Sequence, residues 1–225
     1  MGDGLESADA LRERILAALP QTQCTRCGYP DCWGYAQAIA TQGIPINRCP
    51  PGGAQGIARL AAITGQPETP LDPEHGVEGP RQVVFIDEDW CIGCTLCIKA
   101  CPVDAIVGTN KRMHTVLEAD CTGCALCIPV CPVDCMVLEN ASGHATGWDA
   151  WSSEQAAHAH QRYLAHLARG ERAQREQAQR LEDKARMKLA DLPAHSQHTD
   201  PATLDKKRAI IEAALQRAKE KRAGS

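Results

Sequence analysis

Residues 91–107, CIGCTLCIKACPVDAIV, and residues 121–137, CTGCALCIPVCPVDCMV, decide how this chain folds. They align without gaps at a period of 30, with 11 of 17 positions identical. Each contains the run C-x2-C-x2-C-x3-C-P. A unit this short buries no core by itself, so the two copies are expected to pack as a pseudo-symmetric pair. β-Forming runs flank them at 82–86, 105–107, 115–118 and 136–138, and two short hairpins with two short helices fit this pattern.

The run is that of bacterial ferredoxins, in which three thiolates two residues apart wrap one corner of a 4Fe–4S cubane and the fourth is carried to the other cluster. One cluster is thus expected on Cys91, Cys94, Cys97 and Cys131, and another on Cys121, Cys124, Cys127 and Cys101. Gly93 and Gly123 sit inside the ligand loops, and Pro102 and Pro132 end the runs. Structural zinc is the plainer alternative, but it takes one tetrahedral set, usually two separated C-x2-C pairs, and two triplets with trailing Cys-Pro do not suit it.

A further group, Cys24, Cys27, Cys32 and Cys49, has the spacing C-x2-C-x4-C-x16-C. Alone it suits zinc as well as a cluster; beside a ferredoxin-type module a third 4Fe–4S cluster is expected. Gly28 and Gly34 allow close approach, and Pro50-Pro51-Gly52-Gly53 makes a rigid turn after the last ligand. Twelve of the 13 cysteines are then assigned. The remaining one, Cys135, replaces Ala105 of the other repeat and reads as a small buried residue against a cluster rather than a spare ligand or redox thiol. Lys99 stands opposite Pro129 and reads as a solvated lysine, with a slight rise in one cluster's potential as the sharper alternative. His144, His158, His160 and His166 show no ligand spacing and read as surface histidines.

The rest of the 225 residues is organised around these groups. Residues 1–150 hold 9 Lys+Arg and 18 Asp+Glu, whereas 151–225 hold 15 and 10, and every cysteine lies in the acidic part. The expected fold class is α+β. A small helical four-cysteine domain (1–66, with helices near 5–19 and 54–63) comes first, then a Pro/Gly linker (67–80) and a 2[4Fe–4S] ferredoxin-type domain (81–140). A charged helical extension (141–225) follows, with helices at 153–168 and 171–189 broken or kinked at Gly170, and another from Pro201 to Arg222 capped by Thr199 or Asp200. Aromatics are only 4% of the chain, so cluster ligation is expected to supply part of the stability.

Several functions are disfavoured. The net charge of −4 gives no general case for nucleic-acid binding. No stretch reaches the roughly 18 apolar residues of a membrane span, and the N-terminus has no signal-peptide h-region. A reducing, cytoplasmic setting follows, where cysteines bind metal. There is no G-x-G-x-x-G, P-loop or nucleophile–base constellation, so the chain reads as an electron carrier with no catalytic residues or substrate site of its own. Twelve thiolates and three oxidised cores add about −6 to the acidic part, which favours fast, salt-sensitive docking to basic patches on redox partners.

The segment 19–53, LPQTQCTRCGYPDCWGYAQAIATQGIPINRCPPGG, followed by the double cysteine run, resembles the B subunit of the Rnf/Rsx electron-transport complex over about residues 10–140. Leu19-Pro20-Gln21-Thr22-Gln23-Cys24, Cys27-Gly28-Tyr29-Pro30 and Asn47-Arg48-Cys49-Pro50-Pro51-Gly52-Gly53 carry the likeness. It implies a 4Fe–4S cluster on the N-terminal group and electron passage between a soluble donor or acceptor and membrane flavoprotein subunits, coupled to ion translocation or to keeping a redox-sensing regulator reduced. Members typically begin with a hydrophobic anchor, which this sequence does not show, and the likeness does not extend to 141–225. Peripheral docking on the cytoplasmic face of the inner membrane is one expectation; a free polyferredoxin serving soluble reductases is another. A third, non-redox reading uses the clusters as staples and the basic tail for binding.

Overall fold

The computed structural model describes residues 7–223. The expected start of the first helix at Leu5 lies outside them. Helix α1 (Ala8–Ala17) opens at Ser7, whose Oγ accepts the Ala10 N–H at 3.2 Å. Helix α2 (Cys32–Gln42) opens at Asp31, whose carboxylate accepts the Gly34 N–H at 2.6 Å. Helix α3 is Gly53–Thr64. The three bury one apolar cluster that includes Ile15, Leu19, Tyr35, Ile39, Ile57 and Leu60. Tyr35 is fully enclosed, and its hydroxyl donates to the Pro45 carbonyl at 3.0 Å while accepting the Arg48 N–H at 3.1 Å. Both polar valences of a buried phenol are thereby met.

The proline-rich stretch after α3 runs back across this domain. Asn47 Nδ2 donates to the Pro70 carbonyl at 2.7 Å, and the Asp72 N–H to the Asn47 carbonyl at 2.9 Å. A single 3-10 turn, Pro73–His75, interrupts it. Glu78 then closes the N-terminus of α3, accepting the Ala54 N–H at 2.8 Å, a favourable place for a carboxylate.

Two two-stranded sheets follow. Strand β1 (Gln82–Ile86) pairs antiparallel with β4 (Met136–Asn140), Ile86 opposite Met136; β2 (Ile106–Gly108) pairs with β3 (His114–Val116). Only β2–β3 is a hairpin of neighbours. The other pair joins the strand before the first cysteine run to the strand after the second, so backbone pairing crosses between the repeats. The Asp87 N–H bonds to the Cys135 carbonyl at 2.8 Å and, 30 residues on, the Leu117 N–H to Ala105 at 2.7 Å, which keeps the pseudo-symmetry. Of the two expected short helices, the described residues form one, α4 (Leu96–Ala100). There the Lys99 N–H reaches the Thr95 carbonyl at 3.3 Å. Its counterpart Pro129 has no N–H to donate, and the second run stays a series of turns.

The extension begins with a 3-10 turn, Gly147–Ala150, packed on α3. Helix α5 runs from Ser153 to Ala190 without a break at Gly170, and α6 spans Pro201–Ala223. Of the expected break or kink at Gly170, the break does not occur: one exposed glycine costs a helix only about 1 kcal/mol, and Ala, Arg, Glu and Gln surround this one. Asp200 caps α6, accepting the Thr203 N–H at 2.8 Å. The chain divides into two compact units, 1–166 and 167–225. The first fourteen residues of α5 therefore belong with the cysteine-bearing part. Among the described residues no helix is long and apolar enough to cross a membrane.

Candidate metal centres

All thirteen cysteines are free thiols, and they gather in three places. Cys24, Cys27, Cys32 and Cys49 line one cavity together with Leu19, Thr22 and Tyr35. Cys32 is the first residue of α2, and its N–H is held by Gln23 Oε1 at 2.9 Å. The loop before it is tightly built: Gln21, Thr22 and Gln23 are buried, and Gln21 Nε2 bonds the Leu16 carbonyl. Burial pushes the Cys32 and Cys49 thiols well above their usual range.

Cys101, Cys121, Cys124 and Cys127 line a second cavity, with Val84, Val103, Ala105, Ile106, Val116 and Thr122. The trailing cysteine of the first run thus stands among the triplet of the second. Its Sγ accepts the Ala105 N–H at 3.2 Å, and Cys121 Sγ accepts the Val84 N–H at 3.5 Å. On the other side Cys135 stands between the two runs. Cys135 Sγ is 3.5 Å from Cys131 Sγ and also within hydrogen-bonding reach of Cys91, and Cys97 lies near both Cys94 and Cys91. Burial pushes the thiols of Cys97 and Cys124 up to about 11 and that of Cys127 up to about 12. Such thiols remain protonated at neutral pH until a metal displaces the proton.

The donor set fits 4Fe–4S clusters. Two cavities each gather four sulfurs among largely apolar walls, and peptide N–H groups point at the sulfurs of Cys91, Cys101 and Cys121, as cluster thiolates require. The glycines inside the two ferredoxin-type ligand loops are required by neighbouring backbone. Gly93 (φ +67) and Gly123 (φ +65) touch the neighbouring backbone: a Cβ at 93 would stand 2.4 Å from the Arg112 N, and one at 123 would stand 2.2 Å from the Gln82 carbonyl oxygen. We therefore expect Gly123→Ala to cost more than about 2 kcal/mol from the left-handed backbone and the clash together. A thermal melt beside wild type checks this, and an unchanged melting temperature would mean that β1 can move aside.

Two features of the sites were hidden in the sequence. His114, absent from the expected functional residues, is buried with its ring Nδ1 3.2 Å from Cys97 Sγ, and its backbone N–H bonds Cys91 Sγ at 3.4 Å. Its only signal was position: it lies 30 residues after Val84. The α5 histidines are the other feature. His144 is exposed as expected, but His158 bonds Asp120 at 2.7 Å, His166 bonds Asp104 at 2.9 Å and His160 meets Gln21 Oε1 at 3.2 Å. Between them Arg162 donates to the Val103 and Asp104 carbonyls at 2.8 and 2.9 Å, and the Tyr163 hydroxyl to Asp31 at 2.8 Å. The start of α5 is a clamp across both cysteine domains. Beneath it Thr122, which lines the second cavity, donates its hydroxyl to the carbonyl of Thr22, which lines the first, at 3.0 Å.

Comparison with known proteins agrees with this geometry. Residues 84–138 match the family model of a 4Fe-4S dicluster domain, and residues 19–51 that of a putative Fe-S cluster. Over 110 residues, 49% of this chain, it is 58% identical to the B subunit of the ion-translocating oxidoreductase complex of Azoarcus sp. (strain BH72), covering 60% of that protein. The protein of the same name from Thiobacillus denitrificans is 57% identical over 107 residues, 48% of this chain and 57% of its own length. That from Hahella chejuensis is 56% identical over 105 residues, 47% and 53%. The likeness read from the motifs therefore holds, and the matched stretch spans little more than half of each relative.

Proposed function

We propose that this chain relays single electrons through three 4Fe–4S clusters as the B-type subunit of an ion-translocating, Rnf/Rsx-like oxidoreductase complex. Its ligands are Cys24, Cys27, Cys32 and Cys49; Cys91, Cys94, Cys97 and Cys131; and Cys121, Cys124, Cys127 and Cys101. Its partners are redox proteins, among them membrane flavoprotein subunits met at the cytoplasmic face. The observation that supports this most is the juxtaposition of two four-cysteine cavities, joined by the Thr122–Thr22 hydrogen bond within one compact unit. A carrier with isolated clusters has no need of such a contact. When bound, the clusters supply one-electron oxidation and reduction.

The chain's own residues do the rest. The Val84, Ala105 and His114 N–H groups direct dipoles at ligand sulfurs, which stabilises added negative charge. Val103 and Ile106, both buried, exclude water from the Cys101 side. The clamp of α5 holds the two cysteine domains at fixed separation, and electron transfer depends on that separation.

Iron and acid-labile sulfide analysis of anaerobically purified protein should give about 12 of each per chain. A value near eight would remove the N-terminal cluster from the proposal. Affinity capture from gently solubilised membranes should recover flavoprotein subunits. Recovery of soluble reductases alone would favour a free polyferredoxin.

A further inference from the structure

The two ferredoxin-type sites are built from the same repeat, and two of the equivalent positions at which their surroundings differ stand against ligand sulfur. Beside the Cys121 site these positions hold Val84 and Ala105, and beside the Cys91 site they hold His114 and Cys135. The backbone role is common to both: the N–H groups of Val84 and His114 bond Cys121 and Cys91 at 3.5 and 3.4 Å. Only the second pair adds side-chain donors. His114 Nδ1 is 3.2 Å from Cys97 Sγ, and Cys135 Sγ is 3.5 Å from Cys131 Sγ. A ligand thiolate has no proton of its own, so in both contacts the proton belongs to His114 or Cys135. Apart from its cysteines, the other cavity has Thr122 as its one polar lining residue; Cys124 lies within reach of that hydroxyl, but its single proton goes to the Thr22 carbonyl at 3.0 Å.

Hydrogen bonds to ligand sulfur favour the reduced, more negative state. We infer that His114 and Cys135 are potential-setting residues, which make the site on Cys91, Cys94, Cys97 and Cys131 the more easily reduced of the two and hence the place where a single electron in the ferredoxin module resides. The inference rests on the ligation proposed above. It concerns the difference between the sites, and sequence identity between the repeats would hide that difference.

The test is an anaerobic redox titration of the full chain followed by electron paramagnetic resonance, with iron counted on every sample. In wild type the two ferredoxin couples should differ by at least a tenfold preference, which is about 59 mV for one electron. The Cys94→Ala variant identifies the Cys91 couple by removing it. His114→Val and Cys135→Ala, which install the other repeat's residues, should each lower that couple and leave the other in place, and the double variant should bring the two together. His114→Asn, which keeps an N–H donor, should restore part of the shift. The reciprocal change, Ala105→Cys, should raise the Cys121 couple, which keeps the test open if the His114 variants do not fold. Variants with full iron whose Cys91 couple does not move would overturn the inference. Loss of iron from wild type, or a Cys94 change that leaves all clusters in place, would instead overturn the ligation.

Discussion

Replacing Cys101 by alanine is expected to empty the site built on Cys121, Cys124 and Cys127, in the other repeat, and to leave the Cys91 site loaded. Iron should fall from about 12 to about 8 per chain. Cys131→Ala should do the reverse, removing the cluster of the first run while sparing that of the second. The reason is the crossing of the fold. Because β1 pairs with β4 and β2 with β3, the loop after each run is drawn under the opposite triplet. Cys101 therefore lines the cavity of Cys121, Cys124 and Cys127, where the Ala105 N–H also reaches its sulfur. A local ligand set would need the chain to double back within four residues against the turn that the Cys101 carbonyl forms with Asp104. Mössbauer or paramagnetic resonance spectra of the two variants distinguish the patterns. If Cys101→Ala abolished the Cys91 signal and kept the other, the ligands would be local and the cavity would have another purpose.

The same crossing shows what the sequence made legible. Cysteine spacing names ligands through covalent geometry alone, and the β-rich runs beside it match the four strands to within two residues at each end. Which strands pair was less evident, because a period of 30 residues gives the equivalence of β1 with β3 but not their partners. Pro129 decides the missing second helix through one absent N–H, and Gly170, a single exposed glycine among good helix formers, carries too little weight to end α5. The clamp was not legible. His158, Arg162, Tyr163 and His166 find partners at Asp120, Val103, Asp31 and Asp104, from 38 to 132 residues back along the chain. A polar helix meeting loop carboxylates leaves no periodic trace, since the contacts use charge and reach rather than an apolar stripe. His114 was missed for a related reason: a lone histidine in a short strand has no spacing to betray it.

Trp148→Ala is expected to have the largest effect of any change outside the cysteines. Its ring is 3% exposed and lies on α3, with Arg59 stacked 4.0 Å from the ring centroid, and its Nε1 donates to the Ala18 carbonyl at 3.0 Å. The residue is reached just after β4, so it fastens the exit of the ferredoxin-type domain to the end of α1. Glu78 reinforces the same junction by accepting both the Ala54 N–H and the Thr146 hydroxyl, at 2.8 and 2.7 Å. Truncating a buried tryptophan costs about 3–5 kcal/mol, and for a chain of this size that lowers the first unfolding transition by about 10 °C. Trp148→Phe keeps most of the apolar contact and loses the N–H, so its penalty should be nearer 1 kcal/mol. The consequence for function follows from where the fastening lies. Releasing it loosens the seat of α5 and with it the Thr122–Thr22 contact, so the N-terminal site should lose its magnetic coupling to the ferredoxin sites while iron content is retained. Differential scanning calorimetry and paramagnetic resonance on the same sample read both effects. A variant that melts early yet keeps full coupling would show that α5 and the Thr122 bond hold the two cysteine domains together without Trp148.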